Sequence, residues 1–195
     1  MSQIKFEYGS YYHIFNRGNN YENIFKEPRN YDLFLELMIK YLLPVADIFA
    51  YCLLGNHFHL LIRIKNKEEI FDTKMQEKPY LGFSHLFNSY TQKINKTYNR
   101  KGSLFQEHPK RQLITDNEYF IQVVAYIHLN PIKHGFSDTL NYYYSSYNAI
   151  ISEKDTLLAR DKVLELFGSK EVFKDWHNIQ KLKHSELRLI ISEDY

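Results

Sequence analysis

The stretch from residue 47 to residue 64 constrains the fold most, because two apolar runs there flank Gly55 and Asn56. A Gly-Asn pair between apolar runs predicts a tight turn, and therefore a β-hairpin. Side chains alternate between the two faces of a strand, so we expect His57 and His59 on the same face, about 6 to 7 Å apart. Two neutral imidazoles at that spacing can bind one metal ion, although a half-exposed polar face is the more common role of such a pair.

A second candidate group lies on a helix predicted over residues 116–129. A capping box at residues 115–118 predicts its start, apolar residues recur through it at helical spacing, and Pro131 predicts its end. Tyr126 and Asn130 are four residues apart, so they lie on one face, about one turn from each other. A phenol and a carboxamide placed in this way could converge on one ion or phosphate. The ordinary alternative is that Tyr126 is one of 17 tyrosines and that Asn130 merely precedes a proline.

Together these motifs resemble those of the single-tyrosine HUH transposases, and in particular the branch of REP-associated tyrosine transposases. The HUH signature has a bulky apolar residue between two histidines, as in His57-Phe58-His59 here, and Tyr126 is followed one turn later by Asn130. Other matching stretches occur in the same order, at residues 12–18, 102–106, 126–135 and 144–147. The resemblance covers residues 8 to about 150.

The resemblance implies an enzyme that cuts single-stranded DNA with Tyr126 as the nucleophile, leaving a 5′-phosphotyrosine link and a free 3′-hydroxyl. It also implies a Mg²⁺ or Mn²⁺ cofactor bound by His57, His59 and the carbonyl oxygen of Asn130, and two nitrogen ligands favour Mn²⁺. The DNA partner implied is a palindromic repeat that forms hairpins. Both a monomer and a homodimer are compatible with this interpretation.

Two other classes of function stay open at this point. One is a protein that binds DNA hairpins without cutting them, and the other is a metal-dependent phosphoesterase that activates water and uses no tyrosine. The presence of both histidines, Tyr126 and Asn130 argues against the first. The second lacks an obvious carboxylate base near the histidines in the sequence.

Basic residues concentrate between positions 85 and 111, where six of them accompany one acidic residue and several aromatic residues. Such a segment can neutralise phosphates while its rings stack on unpaired bases, but a solvated helix face gives the same pattern. Lys93, Lys96 and Arg100 form one stripe if the local helix extends that far. We favour DNA contact, and the predicted DNA-binding residues are Asn16, Arg17, Arg63, Lys93, Lys96, Arg100, Lys101, Lys110 and Arg111.

The order of the predicted elements is β-α-β-β-α-β, which indicates a ferredoxin-like α+β core with an antiparallel sheet. We predict strands at residues 11–16 and 110–114, a hairpin at 47–64, and helices at 29–42, 82–98 and 116–129. The first two helices should cover one face of the sheet, with the histidines on the other face.

The remaining segments are less regular. Residues 66–79 are charged and lack periodicity, which favours a loop. Helices predicted at 156–167 and 170–183 suggest a catalytic domain at 1–150 followed by a helical extension at 151–195.

The composition bounds the class of protein. A chain of 195 residues with 44% hydrophobic content is long enough for one good core, while a net charge of +2 says little about nucleic acid. The sequence has no apolar run of about 18 residues and no basic-apolar leader pattern. We therefore expect no membrane association and a cytoplasmic protein that joins the nucleoid when it is bound to DNA.

Overall fold

The computed structural model describes residues 5–106 and 108–186, and the side chains as far as residue 182. The strands in this part of the chain are β1 (Tyr11–Arg17), β2 (Ala46–Leu54), β3 (His57–Ile64) and β4 (Lys110–Ile114). The helices are α1 (Pro28–Tyr41), α2 (Thr73–Glu77), α3 (Tyr80–Thr97), α4 (Asn117–Lys133), α5 (Tyr147–Ile151), α6 (Arg160–Phe167) and α7 (Lys170–Glu186). Residues 187–195 of the predicted extension lie outside the described residues.

The four strands form one sheet in the order β2-β3-β1-β4, and each neighbouring pair is antiparallel. The hairpin turn consists of Gly55 and Asn56, because Leu54 and His57 already pair across β2 and β3. With α1 and α3 inserted between the strands, the element order is β-α-β-β-α-β. The prediction of a ferredoxin-like α+β core is therefore confirmed.

The alternation of side chains along β3 separates two hydrophobic cores. Its even-numbered residues face α1 and α3 and are completely buried: Phe58, Leu60, Ile62 and Ile64. From the helices, Phe34 of α1 and Tyr90 of α3 complete this core. The odd-numbered residues face the opposite side of the sheet, where α4 covers part of the surface and contributes Val124 and Ile127 to a second core. The histidines consequently share a face with α4.

Helix α4 differs from its predicted form at both ends. Its cap is Asp116, whose carboxylate accepts the backbone N–H of Tyr119 at 2.8 Å, so the predicted capping box was one residue too early. Pro131 lies inside the helix, which continues to Lys133. Pro131 lacks a backbone N–H and so removes a single hydrogen bond of the helix. Its side chain is buried, and this burial favours continuing the helix.

The segment predicted as a loop at residues 66–79 is partly helical. It contains a 3₁₀ turn at Lys67–Glu69 and the short helix α2. Each starts at a polar cap: Asn66 and Glu69 form a capping box, and the Asp72 carboxylate accepts the N–H of Met75 at 2.8 Å. Local capping thus orders a segment that has no apolar periodicity.

The predicted C-terminal helices are present and pack on the second core. Phe167 of α6 and Phe173 of α7 are buried with Phe49 of β2. The predicted domain boundary at residue 150 stays a prediction, although these helices share a core with the sheet.

A buried pair of histidines connects α7 to α4. His128 Nδ1 lies 2.9 Å from His177 Nε2, and His128 Nε2 lies 2.8 Å from the Ser146 hydroxyl. His177 Nδ1 donates to the carbonyl oxygen of Phe173 at 2.7 Å. All four of these ring nitrogens therefore have a partner. Hydrogen bonds as well as apolar contacts fix α7 against α4, the helix on which Tyr126 and Asn130 lie.

Candidate active site

The two histidines of the hairpin lie in a cleft of about 430 Å³ at the end of β3. As predicted from strand alternation, their side chains are on the same face, with 5.3 Å between the ring centroids. His59 is 3% exposed, whereas His57 is half-buried at the mouth of the cleft. The pair therefore has one buried and one accessible imidazole.

A hydrogen bond within the turn orients His57. Its Nδ1 lies 2.7 Å from the side-chain oxygen of Asn56. A carboxamide oxygen can only accept, so Nδ1 carries the proton and Nε2 has the lone pair. The hairpin turn thus places an acceptor nitrogen of His57 at the cleft.

A third imidazole, that of His13 on β1, contacts His59. His13 Nε2 lies 3.0 Å from His59 Nδ1, and the rings are nearly parallel with centroids 5.2 Å apart. His13 is not among the predicted site residues, although it lies within the matching stretch at residues 12–18. The antiparallel pairing of β1 with β3, which sets Phe15 opposite His59, brings His13 to this position.

Tyr126 of α4 lies over the same group of rings. Its ring centroid is 5.5 Å from that of His59 and 5.8 Å from that of His13, edge to face in both cases. The Lys133 ammonium lies 5.4 Å from the Tyr126 ring centroid. The predicted convergence of Tyr126 with the His-x-His strand is present in the fold.

Asn130 lies one turn further along α4 and is completely buried. Its amide nitrogen donates to the Tyr126 carbonyl at 2.8 Å, while its side-chain oxygen has no hydrogen-bond partner among the described residues. A buried carbonyl oxygen that accepts no hydrogen bond lowers the stability of the fold unless a bound ligand interacts with it. No group of three His, Cys, Asp or Glu side chains in the described part of the chain could bind a metal. The Asn130 side-chain oxygen could join His57 and His59 as a third ligand, and two imidazole nitrogens with one carboxamide oxygen are a donor set that suits a divalent ion.

The imidazoles of the site are held neutral. Burial lowers the pKa of His13 and of His57 to about 4, and it lowers the pKa of His59 well below its ordinary value. The positive charges that His134 and Arg17 can carry lower the pKa of His57 further, while the nearby Asn130 carboxamide opposes this effect. A metal ion binds the neutral form of imidazole, so these pKa shifts favour metal binding at neutral pH.

Three predicted DNA-binding residues line the cleft beside His57: Asn16, Arg17 and Lys110. The Asn16 side chain accepts from the Arg17 backbone N–H at 2.9 Å and donates to the Gln106 carbonyl at 3.2 Å. The Arg17 guanidinium lies 4.2 Å from the centroid of the Tyr21 ring. These residues bring positive charge and an aromatic ring to the mouth of the cleft.

The other predicted DNA-binding residues do not line this cleft. Arg63, at the far end of β3, contacts the carboxylates of Asp47 and Glu69. Arg111 packs its guanidinium 4.3 Å from the ring centroid of Phe6, on the side of the sheet that faces away from the histidines. DNA contact by either arginine stays a prediction.

The basic stripe predicted on α3 is incomplete. Lys93 and Lys96 are exposed on the helix, but α3 ends at Thr97 and Asn99 has a positive φ of 49°. Arg100 therefore lies beyond the helix, where it pairs with Glu22, so the condition for a stripe of three residues is not met. Lys101 is exposed in the following loop. DNA contact by these four residues stays a prediction.

Two further residues at the cleft were not predicted. The ring centroid of His134, at the end of α4, is 4.8 Å from that of His57, and Phe136 is 45% exposed along the rim. His134 follows the last residue of α4 and is four residues beyond Asn130, so its spacing from Asn130 was the signal that could have found it.

The sequence matches no protein-family model and no curated protein. Among solved structures, the chain is similar to a REP-associated tyrosine transposase bound to a REP hairpin. The TM-score is 0.60 at 17% identity, over 78% of this chain and 87% of that one. A bacterial tRNA(His) guanylyltransferase-like protein in complex with GTP matches at a TM-score of only 0.37 and 14% identity, over 68% of this chain and 71% of that one. The first likeness shows that the chain has the fold of the transposase structure.

No helix in the described ranges is both long and apolar enough to cross a membrane.

Proposed function

We propose that this protein is a metal-dependent, single-stranded DNA endonuclease and strand transferase that cuts near DNA hairpins through a phosphotyrosine intermediate. The observation that carries the proposal is that the Tyr126 ring packs against His59, which shares a face of the sheet with His57. One turn beyond Tyr126 on the same helix, the buried side-chain oxygen of Asn130 has no hydrogen-bond partner among the described residues. The shared fold with a tyrosine transposase bound to a REP hairpin supports the class of substrate. A protein that only binds hairpins would not need this set of donors around a phenol.

The ligands of the proposed metal are Nε2 of His57, Nε2 of His59 and Oδ1 of Asn130. The neutral state of both imidazoles and the unmet hydrogen-bonding capacity of the Asn130 oxygen support this assignment. A bound Mg²⁺ or Mn²⁺ supplies charge neutralisation for the scissile phosphate and for the leaving oxygen.

In the proposed reaction the phenolic oxygen of Tyr126 attacks the phosphorus atom of the scissile phosphodiester. The new bond joins the tyrosine oxygen to the 5′-phosphate, and the bond from phosphorus to the 3′-oxygen breaks. The phenol gives its proton to water, and the departing 3′-oxygen takes a proton to become a free hydroxyl. Because one phosphodiester replaces another, the bond energy is kept in the enzyme–DNA link and strand joining needs no ATP.

The cleft residues give the proposed path of the DNA. Arg17 and Lys110 would neutralise phosphates next to the scissile one, while Tyr21 and Phe136 would stack on unpaired bases. The contact between the Tyr126 and His59 rings within one chain supports a reaction in which the tyrosine serves the histidines of its own subunit.

A cleavage assay tests the proposal. End-labelled single-stranded hairpin DNA is incubated with the protein and Mn²⁺, and products are separated under denaturing conditions. We expect a cut strand and a protein-linked strand from the wild type, neither of them with a chelator, and neither from Tyr126→Phe or His57→Ala. Tyr119→Phe, at a half-buried tyrosine two turns earlier on α4, is the matched control and should cut normally.

The outcomes also separate the alternatives. Cutting that survives Tyr126→Phe without a protein-linked strand would indicate a phosphoesterase that uses water. If the wild type binds the hairpin but does not cut it, the result would indicate a protein that only binds DNA hairpins. Cutting in the presence of a chelator would contradict the metal dependence.

A further inference from the structure

His13 is a buried polar residue for which the proposed reaction has no direct use. Its side chain is 5% exposed, and its ring packs against those of Phe15 and His59, with centroids 4.9 and 5.2 Å away. The Nε2 atom lies 3.0 Å from Nδ1 of His59. Placing an imidazole in this position costs desolvation, which an apolar residue on β1 would avoid.

The contact between the two rings constrains where His59 carries its proton. In a hydrogen bond between two neutral imidazoles, one nitrogen must donate and the other must accept. If His59 donates from Nδ1, its Nε2 has a lone pair that can bind a metal ion. If His13 donates instead, His59 carries its proton on Nε2, and that nitrogen cannot bind a metal.

We infer that His13 is a positioning residue that accepts a hydrogen bond from His59 and thereby fixes the metal-binding tautomer and ring orientation of His59. The inference rests on the proposed function, because it concerns a ligand of the proposed metal. Asn56 has the corresponding role for His57, whose Nδ1 donates to its side-chain oxygen. Both ligands then present Nε2, one oriented by the hairpin turn and the other by β1.

The expected size of the effect follows from other sites of this kind. Removing the acceptor that orients a metal-binding histidine typically lowers metal affinity about 10- to 100-fold. A residue that only fills space would give no such loss when an apolar side chain of similar size replaces it. The acceptor role and the packing role can thus be separated by the choice of substitution.

The experiment measures Mn²⁺ binding to the full chain by calorimetry, with no DNA present. We expect His13→Leu to raise the Kd about 10- to 100-fold, and His13→Gln, whose side-chain oxygen can take the place of Nε2, to stay within about threefold of the wild type. His59→Ala should lose the site. If His13→Leu binds Mn²⁺ as the wild type does while His59→Ala does not, the inference is wrong and the proposed metal site stands. If His59→Ala also binds normally, the proposed metal site itself is wrong.

A second measurement needs no variant and so does not depend on His13→Leu folding. Nitrogen-15 chemical shifts of the histidine rings in the metal-free wild-type protein report which nitrogen of each ring is protonated. We expect His59 to be protonated at Nδ1 and His13 at Nδ1, with both Nε2 atoms unprotonated. A proton on Nε2 of His59 would overturn the inference.

Discussion

Acid should destabilise this protein partly through His177, the buried imidazole that links α7 to α4. His177 is completely buried, its Nδ1 donates to the Phe173 carbonyl, and its Nε2 accepts from His128. Protonating His177 would remove the acceptor that His128 needs and would bury a charge. Replacing His177 by Gln keeps an acceptor oxygen but removes the titrating group, so His177→Gln should resist acid better than the wild type.

The magnitude follows from the pKa. Burial lowers the pKa of His177 from 6.5 to about 4, so the unfolded chain takes up this proton at a higher pH than the folded one. The contribution to stability is complete above pH 6.5 and is lost as the pH falls toward 4. Between about pH 7.5 and pH 5 the lowered pKa of this one group corresponds to about 2 kcal/mol of unfolding free energy. His177→Gln should lose about 2 kcal/mol less than the wild type over that range.

Urea unfolding at the two pH values measures this difference. Trp176 is the only tryptophan of the chain and precedes His177 on α7, so its fluorescence reports the unfolding of this helix. His85→Gln changes an exposed imidazole on α3 and is the matched control, which should lose as much stability as the wild type. Equal losses for His177→Gln and the wild type would refute the reasoning that His177 is neutral when folded and protonated when unfolded.

Two further predictions concern basic residues. Replacing Arg17 and Lys110 by Gln should lower the slope of log affinity against log salt for single-stranded DNA by about 0.7 for each phosphate that the variant no longer neutralises. The pair Lys93→Gln and Lys96→Gln makes the same charge change outside the cleft, and a larger slope change for that pair would move the DNA path to α3. Arg63→Gln should lower the free energy of unfolding by on the order of 1 kcal/mol, because its ion pairs with Asp47 and Glu69 are partly buried. Unchanged stability together with weaker DNA binding would contradict this structural role and would favour Arg63 as a DNA contact.

The predictable parts of the structure are those that local sequence determines. The Gly-Asn turn set the hairpin, strand alternation put His57 and His59 on one face, and helical spacing brought Tyr126 and Asn130 together. These relations involve residues a few positions apart, so turn chemistry and periodicity are sufficient to predict them.

The parts that were missed depend on contacts between distant segments. His13 meets His59 across 46 residues, through the register of β1 against β3, and His128 meets His177 across 49 residues. No local pattern specifies either contact. The end of α4 was also misplaced, because burial of Pro131 lets the helix continue to Lys133.

Mapping the covalent link by mass spectrometry tests the central proposal most directly. The protein is incubated with single-stranded hairpin DNA and Mn²⁺, the linked DNA is trimmed with a nuclease, and the protein is digested and sequenced as peptides. We predict a nucleotide joined through its 5′-phosphate to the tyrosine in the peptide that contains Tyr126, and no modified peptide when Mn²⁺ is chelated. A nucleotide on any other residue, or a cut strand with no modified peptide, would contradict the assignment of Tyr126 as the nucleophile.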